Sequence, residues 1–556
     1  MTCKYVSFLG IVACSLFGMT VVLNAEQNGL VNRVGKRLPA DAAPLERQVY
    51  RYMAREPETL DVSVALARAE NSEFLFERLL LFDQNNDLIP GAAERWDVSE
   101  DGLTWTFHIR PNSRWSDGRP VTAQDFEYTF RRLLDPSVGN RLAFLYYDIK
   151  GAQAYNTGGN TPPVDLGVRA VDDLTFQIMT EKPSPFIPYL AAFQGSSPVP
   201  AWQVEKYGRR WTDAGNCVSN SSYLLVDWRA GDRITFELNP GYSGPNKGSV
   251  ERMVEIFTVP GSAQAVLAYE NNEIDRTSVT VEDIDRIRRD PVLGKQLYTF
   301  PYFATTYLIM QTQQEPFNDV RVRQAFAHAI DREALCRVVH RGMHQPAYSM
   351  LPSGFSASAG DKYKSAQVYN PSRARRLLQE AGYPEGRGFP HVEFFITGKT
   401  SREVQAIQNM IKQVLNVDID IGTLESRALG ERMYNYEVPM TLLSWWFDYP
   451  DPHNMLTAPW RSRPKGFGRQ DWIHPAFNDY VDRAAHELDP EKRLAMYDQA
   501  ERILSEEVGG IFLYHRYAFD LRKPWLKGIK KDRMGFYPYL EHNSNVWFDL
   551  YIGATD

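Results

Sequence analysis

Along this chain, apolar positions recur with a two-residue period in some stretches and with a three-to-four-residue period in others. Period two reads as half-buried strand and the longer period as amphipathic helix. Strands are expected at 48–53, 251–257, 274–275, 391–396, 417–421, 440–444 and 511–519. Hairpins are expected where 93–98 meets 103–110 and where 223–228 meets 233–238, each pair joined by a short polar or glycine turn. A further alternating pair lies at 168–171 and 175–178. Helical spacing predicts helices over 72–81, 122–134, 263–272, 316–341, 372–381, 403–415 and 491–508. Thr122 with Asp125 three residues on resembles a capping box, Asp135-Pro136 is a stop, Ser372 is the expected cap of its helix and Gly382 its end. Strands mixed with helices in no regular alternation predict an α/β fold with mixed sheets in several lobes.

The first residues change the picture. Met1-Thr2-Cys3-Lys4 precedes an apolar run from Tyr5 to Leu23 and then Asn24-Ala25-Glu26. One positive charge, an apolar stretch and a small residue describe a secretory signal peptide over 1–25, cleaved after Ala25. A transmembrane anchor and a lipoprotein box at Ile11-Val12-Ala13-Cys14, anchoring through Cys14, are the competing readings. Export follows from the signal reading. Of the four cysteines, Cys217 and Cys336 then remain, and sequence cannot decide whether they bridge.

At 556 residues the chain exceeds what one core organises, so two or three domains are expected. A net charge of −7 argues against a general nucleic-acid binder. No GxGxxG, GxxxxGK[ST] or GxSxG occurs, which removes the short signals for dinucleotides, nucleotide hydrolysis and a hydrolase nucleophile. His340 and His344 flank Gly342 without further metal-ligating spacing, and read as a surface pair. The aromatic excess, with 12 Trp, 29 Tyr and 29 Phe, is mostly core, yet several fall at strand ends and loops where a small-molecule or peptide site could use them.

Those observations converge on Ser444-Trp445-Trp446-Phe447-Asp448-Tyr449-Pro450-Asp451-Pro452-His453-Asn454. An apolar strand ends here in three aromatics, an aspartate and a proline-broken turn. A carboxylate among aromatics is costly unless it meets a cation. The cation can be a structural arginine, or Asp448 can cap the turn, or the cation can belong to a ligand. Asp448 with Asp451 also invites a secreted hydrolase with two carboxylates, although three residues on a broken loop give no sign of the needed separation.

The order Glu94-Arg95-Trp96, Trp105-Thr106-Phe107-His108-Ile109-Arg110, Trp115-Ser116-Asp117-Gly118-Arg119-Pro120 resembles the signature of the family 5 extracellular solute-binding proteins, the peptide-binding components of ABC importers. Ser197-Pro198-Val199-Pro200, Phe317-Asn318-Asp319-Val320-Arg321, Ala381-Gly382-Tyr383 and Lys523-Pro524-Trp525 continue the resemblance in order. It implies a periplasmic-binding-protein type II clamshell. One discontinuous lobe would span 40–78, 202–303 and 518–548, an extra domain 79–201, and the second ligand-gripping lobe 304–517. It implies an exported monomer that binds an oligopeptide, works with an inner-membrane ABC permease, catalyses nothing and needs no cofactor or metal. Murein peptides and non-peptide solutes remain alternative cargo.

By the same resemblance, Asp448 occupies the position of the aspartate that pairs with a peptide's α-ammonium, and Trp445, Trp446 and Phe447 line the site. There are departures. Two disulfide cysteines of oligopeptide-binding members match Ala304 and Trp446, a carboxylate-reading arginine matches Leu442, a pocket tryptophan matches about Ser426, and a cleft tyrosine matches about Arg516. Arg516, Arg402 and Arg68 are the candidate partners for a ligand carboxylate or acidic side chain.

Overall fold

Two long antiparallel strands, Leu297–Met310 and Ile511–Arg522, run through the middle of an 11-stranded mixed sheet. The computed structural model describes residues 29–64, 72–159, 162, 165–466, 468–537 and 546–555. The expected signal segment 1–25 and Arg68 lie outside them.

On one side of this spine the sheet continues through Arg276–Ser278, Val49–Ala54, Arg252–Phe257, Arg233–Leu238 and Tyr223–Arg229. On the other it continues through Met440–Trp446, Glu393–Thr397 and Asp420–Leu424. Val49–Ala54 pairs in parallel with Arg252–Phe257, and Glu393–Thr397 pairs in parallel with both of its neighbours, so the sheet is mixed as expected. The hairpin of Ala93–Val98 with Thr104–Ile109 belongs to a separate four-stranded antiparallel sheet, together with Val168–Asp172 and Thr175–Met179. Asp125 accepts the Thr122 backbone N–H at 2.9 Å, closing the expected capping box of helix Ala123–Leu134.

The spine strand Leu297–Met310 has no counterpart in the periodicity reading. Pro301 lies inside it, and its register against Ile511–Arg522 shifts between Pro301 and Thr305, where Phe303 takes a positive φ of 38°. A proline and a bulge erase the two-residue period. Three other expectations need correction. The stretch 72–81 is a single helical turn, Ser72–Leu75, followed by strand Leu80–Phe82. Its helical spacing arises because Phe74, Leu75, Leu79 and Leu80 are buried whatever their direction. Between them Glu77 turns inward to meet Arg110, the Tyr242 hydroxyl at 2.5 Å and the Asn246 amide at 2.9 Å. The helix expected at 316–341 is broken after Val320–Ala329. There the buried Arg332 guanidinium donates to the carbonyls of Ala327, Ile330 and Gln367 at 2.9, 3.2 and 2.6 Å, and Asp331 caps the next turn. Asn370, not Ser372, caps helix Pro371–Glu380, accepting the Arg373 N–H at 3.0 Å.

The two faces of the Met440–Trp446 side carry separate cores. Leu308, Met440 and Tyr514 pack with helices Val320–Ala329, Pro371–Glu380 and Arg402–Leu415 on one face. Tyr307, Trp445 and Phe512 pack with Trp460 and helices Pro475–His486 and Pro490–Glu506 on the other. A third, larger core joins Val49–Ala54 and its neighbours to the four-stranded sheet. Cys217 and Cys336 are free thiols in different cores, and burial pushes both up to about 12. Adding reductant is therefore expected to leave the thermal unfolding midpoint unchanged, and a thiol reagent to react with both only on unfolding; a reductant-dependent midpoint would contradict this.

Candidate ligand-binding site

Strand Met440–Trp446 pairs antiparallel with Leu297–Met310, placing Trp446 opposite Ala304, Trp445 opposite Thr305 and Leu442 opposite Leu308. The positions that match the cysteines of oligopeptide-binding members thus face each other across the ladder, occupied here by alanine and tryptophan. Strand alternation sends Trp445 and Leu443 to the face of Tyr307 and Phe512, and Leu442, Ser444 and Trp446 to the face of Tyr514.

Pairing ends at Phe447, whose N–H donates to the Phe303 carbonyl at 3.2 Å and whose ring meets Phe303 and Phe355 edge-on. The chain then enters a loop that is locked on both sides. Tyr449 is fully buried, stacks near Phe186 and Tyr189, and its hydroxyl shares a hydrogen bond with His453 Nδ1 at 2.6 Å. His453 stacks on Phe186 with ring centroids 4.0 Å apart. Pro450 sits in a tight turn in which the Asp451 N–H donates to the Tyr449 carbonyl at 2.8 Å, and the Asp451 side chain turns inward. Asp451 meets the Arg493 guanidinium through both oxygens at 2.7 Å, and both side chains are buried. Asp451 also accepts the His453 N–H at 2.8 Å. It is the structural aspartate of this loop.

Asp448 is its counterpart without a cation. The half-buried carboxylate accepts the Asn454 amide at 2.8 Å, while Asn454 Oδ1 accepts the Asp448 N–H at 3.0 Å and Trp445 Nε1 at 3.2 Å. These three bonds fix the Asn454 amide orientation and aim the carboxylate. Among the described residues no Lys, Arg or His lies within ion-pair distance of it. Burial pushes Asp448 up to about 6, held back by the Asn454 hydrogen bond and the charge of Arg469. Arg469 itself lies over the Trp445 ring at 5.4 Å from the centroid. Asn454 is the residue that sequence reasoning missed. Its role depends on a π-type turn, His453–Thr457, that carries it back onto Asp448, and no spacing rule announces such a turn.

The arginine candidates separate. Arg516 on strand Ile511–Arg522 lies over the Trp446 ring at 5.3 Å, so the structure brings those two together. Arg402 is exposed at the start of helix Arg402–Leu415 and reaches none of the loop residues named above by a hydrogen bond or ion pair. Ser426 begins helix Ser426–Tyr434. His340 and His344 are half-buried rather than a surface pair: His344 stacks on Tyr514 at 4.7 Å, and His340 Nε2 lies 3.5 Å from Glu403. Burial and the charge of Arg516 push His344 down to about 3. Among the described residues, no group of three or more His, Cys, Asp or Glu is arranged to hold a metal.

With one of its two carboxylates bound to Arg493, the loop does not present the free acid and base of a glycosidase. What it presents is one desolvated, oriented anion between aromatic rings.

Residues 87–467 match the family described as bacterial extracellular solute-binding proteins, family 5 Middle. The periplasmic oligopeptide-binding protein OppA of Escherichia coli is 30% identical over 501 residues, covering 88% of this chain and 91% of that protein. The probable deoxycholate-binding periplasmic protein YgiS of Escherichia coli is 28% identical over 530 residues, covering 93% and 96%. The solved structure of the Escherichia coli murein tripeptide binding protein MppA superposes with a TM-score of 0.75 at 28% identity, covering 93% of this chain and all of that one. The fold is accordingly the type II periplasmic-binding-protein clamshell, mixed α/β with an extra domain. Among the described residues, no helix is long and apolar enough to cross a membrane.

Proposed function

The chain belongs to the family 5 bacterial extracellular solute-binding proteins, and on that premise we propose that it captures oligopeptides by their free amino terminus. It is exported, with cleavage after Ala25, and delivers its cargo as a monomer to an inner-membrane ABC permease. Asp448 receives the α-ammonium, Asn454 holds the carboxylate in place, and Trp445, Trp446 and Phe447 line the first side-chain positions. Backbone hydrogen bonds to an extended peptide give affinity with little dependence on sequence. The observation that carries this reading is the contrast within one loop: Asp451 has its arginine, and the half-buried Asp448 has, among the described residues, an amide but no ion-pair partner.

The division into a lobe of 40–78, 202–303 and 518–548, an extra domain of 79–201 and a lobe of 304–517 belongs to this proposal. The register shift between Pro301 and Thr305 and the positive φ of Phe303 support a hinge at the 303/304 junction, since a bulged strand bends more easily than a regular one. Closure about it would bury the ligand.

Calorimetry with a free tripeptide and its N-acetylated form tests the amine reading. The acetylated peptide is expected to bind about 100-fold more weakly, because it leaves Asp448 buried without a cation. Equal affinity for the two peptides would remove Asp448 from the role. Binding of deoxycholate with no peptide binding would favour the cargo named for YgiS. Small-angle scattering with and without peptide tests the hinge, and the radius of gyration is expected to fall on binding.

A further inference from the structure

A second polar cluster lies on the opposite face of strand Met440–Trp446 from Trp445. Thr306 joins Ser444 and Tyr514 in one row across three strands, and the Thr306 and Ser444 hydroxyls are 2.8 Å apart. Two residues further along their strands, on the same face, stand Trp446 and Arg516. Ala304, opposite Trp446, is small enough to leave the guanidinium room above the indole, 5.3 Å from its centroid. The His340 and His344 rings lie against Tyr514, and Glu403 lies 3.5 Å from His340 Nε2.

What distinguishes the cluster is its unmet donors. Arg516 Nε and Trp446 Nε1 are both buried and have no hydrogen-bond acceptor among the described residues. Among the described residues no Asp or Glu forms an ion pair with Arg516, whereas the Glu403 carboxylate lies beside His340, and burial followed by the Glu403 charge raises the pKa of the Tyr514 hydroxyl. His344 stays neutral, so it neither competes for an anion nor supplies a charge. Two orphaned N–H donors and an uncompensated guanidinium on an aromatic shelf call for an anionic acceptor of planar shape. Leu442 lies on the same strand face, half-buried in apolar packing, and gives such an anion nothing to bind.

We infer that Arg516 and Trp446 form a second subsite that takes a carboxylate of the bound peptide, two residues along the strand from the Asp448 amine site. This rests on the peptide reading above and adds a preference to it. The carboxylate can come from an acidic side chain near the peptide's amino terminus or from the carboxyl terminus of a short peptide. In either case the ligand bridges opposite charges, one on the loop after strand Met440–Trp446 and one on strand Ile511–Arg522.

The test is calorimetry on the mature chain with Glu-Ala-Ala, Ala-Glu-Ala, their Gln counterparts, and the C-terminal amides of all four. A side-chain source predicts that Glu binds about tenfold or more tighter than Gln at one position, with amidation having little effect. A C-terminal source predicts the reverse, an amidation loss of about tenfold and indifference to Glu or Gln. In Arg516→Gln the preference, taken as a ratio within that variant, is expected to fall to about one. Should R516Q not fold, Arg516→Lys carries the test: it keeps the charge but loses the planar fork, and the ratio is expected to fall at least about threefold. Gln peptides that bind as tightly as Glu peptides while amidation also changes nothing, or a preference intact in the variant, would overturn the subsite and leave the amine site standing. A chain that bound none of the free-amine peptides would overturn both.

Discussion

Asp448→Asn is expected to weaken binding of a free-amine peptide about 100-fold or more and, at neutral pH, to stabilise the empty protein. The two effects come from one cause. The carboxylate is desolvated and oriented by Asn454, but holds no cation until a ligand arrives, so its charge costs the empty fold and rewards the filled one. The pH dependence fixes the signs. The folded-state pKa of about 6 stands above the unfolded value of about 3.9, so the folded protein binds more protons between these pH values. The stability contributed by protonating Asp448 is full below about pH 4 and is lost as pH rises through about 6. At pH 7 the charged group is a liability on the order of 1 kcal/mol, after discounting for its partial exposure, and the asparagine removes it. Binding runs the other way. A ligand ammonium pulls the carboxylate back down, so affinity is level above about pH 7 and falls about tenfold per unit below about 6. Calorimetric titrations from pH 5 to 8, with melting curves of both proteins, check the pair. A variant that melts lower at pH 7 and still binds peptide would make Asp448 a structural residue after all.

Asp451→Asn should do the opposite. Burial works against the Arg493 charge, but Asp451 offsets it and pushes Arg493 above its ordinary range. Removing the charged partner leaves a buried guanidinium uncompensated, a loss of about 3–5 kcal/mol. Replacing both residues with apolar ones of similar volume, Asp451→Leu with Arg493→Met, should recover most of that loss, because the pair's own net contribution is small. Equilibrium urea unfolding of the single and double variants measures the cycle. A loss under about 1 kcal/mol for D451N would mean that the loop is held by the Tyr449, Phe186 and His453 stack rather than by the ion pair.

The contrast between these two aspartates marks what a sequence can and cannot tell. Asp448 and Asp451 sit three apart in the same proline-broken turn, and nothing local separates the one without an ion-pair partner from the one that has an arginine. Arg493 is 42 positions away from Asp451. The partner is chosen by helix Pro490–Glu506 docking under the loop, and that docking is decided by the apolar faces of Tyr497, Ala500 and Leu504. The pairing of Trp446 with Arg516 is similar, because it depends on two strands meeting on either side of Leu297–Met310. That strand is hidden from periodicity by Pro301 and by its own register shift.

By itself the sequence determined the mixed α/β character, both hairpins, several of the longer helices and the family, because those follow from residue periods, caps and motif order along the chain. It singled out Asp448 as a carboxylate in need of a cation. Only the tertiary structure decided that the cation is missing from the empty protein, that Asn454 aims the carboxylate, and that Arg516 stands over Trp446. The physical reason is that periodicity reports which side of an element is apolar. Charge pairing and desolvation depend on which distant element covers that side, and that is settled by packing.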